Sequence, residues 1–190
     1  MVEKQPVTPL PDPIPGRECG ECTVCCVQMS VDDPDLKKDD NVPCPHMIAH
    51  RGCSIHDRLP VTCKAWFCGW RFLNFSEAMR PDRSHVLLAP ELRSPPGYAA
   101  GGLRIILTHE DREALFRDEL LDFIAKCVAG NVPIFLSWGD GAFAKRGLIN
   151  EETRAAVARG DKAAFIATLR AMLEAMARQV AMDVITAQNR

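Results

Sequence analysis

The run Cys19-Gly-Glu-Cys22-Thr-Val-Cys25-Cys26, followed by Cys44-Pro-His46 and by Cys53-Ser-Ile-His56-Asp-Arg-Leu-Pro60-Val-Thr-Cys63-Lys-Ala-Trp-Phe-Cys68, decides how this chain is organised. A two-residue spacer lets a tight turn aim two sulfurs and several backbone amides at one ion, and the amides then stabilise the thiolate charge. A single pair of this kind is a weak signal that also fits a redox site. Three overlapping thiols with an adjacent fourth are a strong one. Residues 19–70 carry no sustained period of 2 or 3.6, so ligation is expected to organise them where hydrophobic patterning does not.

The expected metal ligands are Cys19, Cys22, Cys25, Cys26, Cys44, Cys53, Cys63 and Cys68. Eight thiols match two four-sulfur sites, and equally one cluster with spare cysteines. In extended backbone Cys25 and Cys26 would point to opposite sides, so they belong to two sites or one of them is a bystander. The three cysteines at two-residue spacing suit ferredoxin-type ligation, whereas zinc ribbons pair two C-x-x-C knuckles and the second block has none. An iron–sulfur cluster is therefore favoured, with zinc as the alternative. His46, His50 and His56 lie among the cysteines as candidate replacement ligands or hydrogen-bond donors. Arg17, Arg51, Arg58, Lys64 and Arg71 are available to offset the negative charge of a thiolate site. Pro43, Pro45, Pro60, Trp66, Phe67 and Trp70 either shield the sulfurs or pack a lobe poor in aliphatic residues.

Outside the cysteine region the chain reads as an ordinary core-forming sequence. It has 190 residues, 47% of them hydrophobic, which suits one domain carrying a smaller metal-organised lobe. Residues 1–16 are a proline-rich arm, 17–81 the cysteine-cluster module, and 82–190 an α+β region packed on it. The runs starting at His85 and Leu103 read as strands, with a third over 132–138 and a fourth within 141–148 after the turn Gly139-Asp-Gly. Thr108 and Asp111 resemble a capping box, so a helix should start there and end at Gly130 in a left-handed residue. Cys127 falls on the apolar face of that helix as a core thiol. A short helix over 151–159 ends at Gly160, and Phe165, Leu169, Met172, Met176 and Val180 stripe a long one over 162–179. The expected fold is α+β: an irregular cysteine-rich lobe plus a three- or four-stranded sheet with two or three helices. His85 and His109 are read as structural, and the pairs Asp118-Glu119 and Glu151-Glu152 as solvated helix charges.

A formal net charge of -2 gives no broad basic surface, which argues against a nucleic-acid partner. The start MVEKQPVTPLPDPIPG lacks an apolar stretch behind basic residues, and no run approaches the length of a membrane span, so a cytoplasmic protein without a membrane partner is expected. A reducing cytosol keeps clustered thiols free for metal.

The cysteine pattern resembles the YkgJ-type cysteine-cluster family, described as a zinc- or iron-chelating domain. The family pattern is C-x-x-C-x-x-C-C, an isolated cysteine, then C-x-I-Y-x-x-R-P-x-x-C-R-x-F-x-C. Cys19, Cys22, Cys25 and Cys26 match the first element, Cys44 the second, and Cys53, Ile55, Pro60, Cys63 and Cys68 the third. His56, Leu59, Lys64 and Trp66 depart from it. The resemblance spans about a third of the chain and implies metal binding. A relative, the flagellin lysine methylase group, carries a similar cluster in a larger enzyme, which makes cluster-dependent methyl transfer to protein lysine an alternative function. A zinc-stapled platform for an unidentified protein partner is another. No G-x-G-x-x-G loop, P-loop or Ser-His-Asp arrangement supports an enzyme, and the residues alone do not choose among these functions.

Overall fold

The computed structural model describes residues 10–108, 111–139 and 144–188, and the fold is α+β. Its amino-terminal part is assembled from short pieces. Helix α1 (Val24–Gln28) leads into an antiparallel ribbon of β1 (Val31–Asp33) and β2 (Leu36–Lys38). A second ribbon pairs β3 (Met47–Ile48) with β4 (Gly52–Cys53), and the helices α2 (Val61–Ala65) and α3 (Pro81–Ser84) follow. Residues 19–70 thus have more regular structure than their sequence suggests, but little apolar burial supports it. Between residues 19 and 67 the buried positions are Asp33, Leu36, Lys38, Gly52 and Pro60, of which one is aliphatic.

The arm that precedes this part is fastened at its end. The Ile14 N–H donates to the Arg71 carbonyl oxygen (2.8 Å). Arg17, read as a charge partner for the thiolates, is engaged elsewhere: it donates to the carbonyl oxygens of Trp70, Leu73 and Phe75, and its guanidinium lies 5.2 Å from the centre of the Trp70 ring. Residues 1–9, with Pro6 and Pro9, lie outside the described residues, as do His109 and residues 140–143 of the expected fourth-strand turn.

The carboxy-terminal part is a four-stranded mixed sheet in the order β5 (Val86–Glu91), β6 (Gly102–Leu107), β7 (Ile134–Trp138), β8 (Lys145–Leu148). The pair β6–β7 is parallel and the outer pairs are antiparallel. A parallel neighbour cannot be reached by a tight turn, and the crossover here is helix α4 (Asp118–Ala129). Two further helices, α5 (Ile149–Ala158) and α6 (Lys162–Gln188), complete the layer. Alternation in β6 puts Leu103, Ile105 and Leu107 inside. The register sets Leu88, Ile105 and Leu136 side by side on the face that α4, α5 and α6 cover. On the other face Glu91 pairs with Arg104 (3.2 Å) and Arg146 (3.1 Å). Leu87 belongs to that second face but is fully buried, because the cysteine-rich residues cover this end of β5.

The helix ends differ in detail from expectation. Thr108 is buried at the end of β6, its N–H donating to the His85 carbonyl oxygen (2.8 Å), and its hydroxyl finds no partner among the described residues. The cap is Asp111, whose carboxylate accepts from the Ala114 N–H (3.2 Å) and so opens a 3-10 turn over Arg112–Phe116 before α4 begins. At the other end of α4 the left-handed residue is Asn131 (φ 54°), not Gly130 (φ -82°). Bonds from Val132 N–H to the Cys127 carbonyl and from Asn131 N–H to that of Val128 make this a Schellman closure one residue later, and Asn tolerates the conformation. Gly160 (φ 65°) closes α5 as expected, and Cys127 is buried in the core. Glu119 is more than a solvated charge: its two oxygens accept from the Ser76 N–H and hydroxyl (both 2.6 Å), tying the segment before α3 to α4.

Asn150 is wholly buried and brackets the β7 approach, its Oδ1 accepting from the Ile134 N–H and its Nδ2 donating to the Val132 carbonyl oxygen (both 2.8 Å). Asn150→Ala leaves both backbone groups without partners, and a loss of about 2–4 kcal/mol in urea denaturation is expected. A loss below about 0.5 kcal/mol would show that the bracket contributes nothing.

Candidate metal centre

The eight clustered cysteines, scattered over fifty positions of sequence, line one cavity of about 380 Å³. Each arrives from a different local structure. Cys19 and Cys22 close a turn, the Cys22 N–H donating to the Cys19 carbonyl oxygen (2.9 Å). Cys25 and Cys26 are consecutive residues of α1, which sets their side chains about 100° apart around a helix and not on opposite sides of a strand. Cys44 is hung on α1 by its N–H, which donates to the Cys26 carbonyl oxygen (2.9 Å). Cys53 ends β4, Cys63 lies in α2, and Cys68 caps the 3-10 turn Gly69–Arg71 that enters the core. All nine cysteines of the chain are free thiols.

Three features that sequence reasoning passed over shape the cysteine region. Gly52, with φ +97°, sits against Gly20, and a Cβ at this position would stand 2.6 Å from the Gly20 carbonyl oxygen. Glycine is required there both by the left-handed backbone and by the close approach. The only sign of it in the sequence is a glycine flanking a cysteine in each block. Asp33 reaches across to α2, its Oδ2 accepting from the Thr62 N–H (3.1 Å) and hydroxyl (3.0 Å), and these bonds hold its carboxyl below the usual carboxylate range. It caps the helix that carries Cys63 from outside that helix. Lys38 is 8% exposed, lines the cavity, and donates to the carbonyl oxygens of Val27, Met29 and Asp39 around the end of α1. No sequence pattern marks either of these two.

Gly52→Ala should lower stability by about 1–3 kcal/mol through backbone strain, and should push the cysteine blocks apart so that the purified protein carries much less metal. Gly16→Ala is the control, since Gly16 has φ +80° but open space, with no atom within 4 Å, where a methyl group would stand. Equal metal content in the two variants would show that the Gly20–Gly52 contact does not shape the cavity.

The electrostatics of the cavity favour the protonated form of Cys22, Cys25, Cys63 and Cys68 until a cation arrives. Burial, helped by the charges of neighbouring thiols, pushes Cys68 up to about 12 and Cys22 up to about 11, and raises Cys63 as well. Cys25 and Cys26 share a hydrogen bond, which raises Cys25 and lowers Cys26, and the Lys38 ammonium also favours the Cys26 thiolate. Arg71 approaches the Cys19 sulfur (Nη1 to Sγ 3.8 Å), and its own Nε is buried without a partner among the described residues. A cation entering the cavity would displace the thiol protons, as thiolate ligation requires.

The remaining expected residues divide between the cavity and its surroundings. His46, His56, Lys64, Pro60, Trp66, Phe67 and Trp70 line it. His50 (φ 56°), Arg51, Arg58, Pro43 and Pro45 do not, and Arg80 joins the lining instead. Among the described residues no group of three or more His, Cys, Asp or Glu side chains stands in position to hold a metal ion. The eight cysteines nonetheless share the lining of one space. No family model, curated protein or solved structure matches the chain. No helix among the described residues is long and apolar enough to cross a membrane.

Proposed function

We propose that this protein binds metal through Cys19, Cys22, Cys25, Cys26, Cys44, Cys53, Cys63 and Cys68, holding an iron–sulfur cluster in preference to zinc, and that it works in the reducing cytoplasm. The observation that carries this reading is the gathering of all eight thiols, and no other cysteine, around one cavity. The donor set fits: soft thiolates suit iron–sulfur clusters and zinc, and the aromatic rings of Trp66, Phe67 and Trp70 form part of the wall beside them. Lys38, Lys64 and Arg71 supply positive charge at the wall to offset a thiolate site, whereas Arg80 is paired with Asp82 (2.7 Å). The resemblance to the YkgJ-type family points the same way. When bound, the cluster would supply one-electron redox chemistry or a structural staple, while the chain supplies ligands and charge.

The test is anaerobic purification followed by elemental analysis and an absorption spectrum. At least one equivalent of iron plus zinc per chain is expected, with broad visible absorption where iron predominates. Less than one equivalent, in protein that retains free thiols, would remove the proposal.

A further inference from the structure

The eight thiols do not surround the cavity evenly. One group is knitted around the first turn and the entry to the core: the Cys22 N–H is bonded to Cys19, Arg71 contacts the Cys19 sulfur, and the Arg71 N–H donates to the Cys68 carbonyl oxygen (2.9 Å). A second group is knitted around α1 and the second ribbon. The Cys44 N–H is bonded to Cys26, the Met47 N–H to the Cys44 carbonyl oxygen (3.0 Å), and Met47 is the strand partner of Cys53. Cys63 joins the second group through its helix: Asp33, on the ribbon that follows α1, accepts from the Thr62 N–H and hydroxyl at the start of α2. Cys25 and Cys26, consecutive on α1, join the groups, and Cys25 continues the two-residue spacing of Cys19 and Cys22.

We infer that the cavity contains two four-thiolate metal sites, one formed by Cys19, Cys22, Cys25 and Cys68 and the other by Cys26, Cys44, Cys53 and Cys63, meeting at the adjacent pair on α1. This deepens the metal-binding proposal and rests on it. Four thiolates complete the coordination of a tetrahedral ion or the corners of a cluster, so neither group needs a ligand from the other. The first group has the spacing of a cluster ligand set, three cysteines at two-residue intervals and one remote. Each group also has its own cation, Arg71 beside Cys19 and Lys38 at the end of α1, where its ammonium donates to the carbonyl oxygen of Val27, the residue after Cys26.

The experiment uses the full-length reduced chain, stripped of metal under anaerobic conditions and titrated with cobalt(II), with thiol alkylation read residue by residue by mass spectrometry. Saturation is expected at about two equivalents, with protection from alkylation developing in the two sets named. In Cys63→Ser, protection of Cys19, Cys22, Cys25 and Cys68 should persist; in Cys68→Ser, that of Cys26, Cys44, Cys53 and Cys63 should persist. Saturation at one equivalent, or protection that crosses the sets in the unaltered chain, overturns the division while leaving metal binding intact. No cobalt uptake, together with no iron or zinc in the protein as purified, overturns both. The wild-type protection pattern decides the matter even if a serine variant fails to fold.

Discussion

Withdrawing metal from the loaded protein with a chelator is expected to release residues 19–65 from their fold while the four-stranded sheet persists. Amide exchange in that segment should accelerate by more than about a hundredfold, with strands β5 to β7 and helices α4 and α5 unchanged. The asymmetry follows from burial. Leu36 is the single buried aliphatic side chain between residues 19 and 67, and its burial is worth about 1.5–3 kcal/mol, comparable to the entropy of ordering one or two residues. Ribbons of two or three residues do not stand alone in water. The sheet has a core of its own, from Val86 and Leu88 through Ile105 and Leu136 to Leu169 and Leu173 on α6. On the proposed function, metal ligation would be the term that holds the amino-terminal part, as in small domains that fold only with their ion. Uniform acceleration across the chain, or none, would show that the two parts do not differ in what holds them.

The same contrast explains what the sequence disclosed. The strands are readable because Leu103, Ile105 and Leu107 alternate with half-buried residues and because proline and glycine punctuate the connection before them. The long helix is readable from its stripe, of which Phe165, Leu169 and Met176 are buried, though it runs to Gln188, beyond the expected end at 179. Local chemistry misleads at the caps. Thr108 and Asp111 fit a capping box in the abstract, but the strand register buries Thr108 and leaves Asp111 to open a 3-10 turn. In the cysteine region, spacing identifies which residues gather but not how they divide. That depends on α1 being helical, on Gly52 meeting Gly20, and on Asp33 crossing to Thr62, and the last two are contacts between residues distant in sequence. The charge partners are likewise unreadable: Arg17 goes to carbonyl oxygens, and buried Lys38 takes a place beside Cys26 that no pattern announces.

Trp70→Ala should be the most damaging single substitution outside the cysteines, costing about 3–5 kcal/mol and lowering the melting temperature by roughly 6–20 °C. Trp70 is 4% exposed and belongs at once to the hydrophobic core and to the wall of the cysteine cavity. Its indole Nε1 donates to the Ser76 carbonyl oxygen (3.2 Å), and its ring carries the Arg17 guanidinium that also gathers three carbonyl oxygens. Alanine removes the largest side chain joining the two parts and leaves Arg17 and Ser76 without that partner. Because Cys68 lies two residues away at the start of the same turn, metal content should fall along with stability. Trp66→Ala serves as the comparison, since Trp66 lines the same cavity but is only partly buried, and its loss should cost substantially less. Trp70→Phe should recover most of the packing and forgo the bond to Ser76, placing it within about 2 kcal/mol of the unaltered protein. Equal losses for Trp70→Ala and Trp66→Ala would mean that the cavity wall, and not the joint between the cysteine region and the sheet, sets the energetic importance of these aromatics.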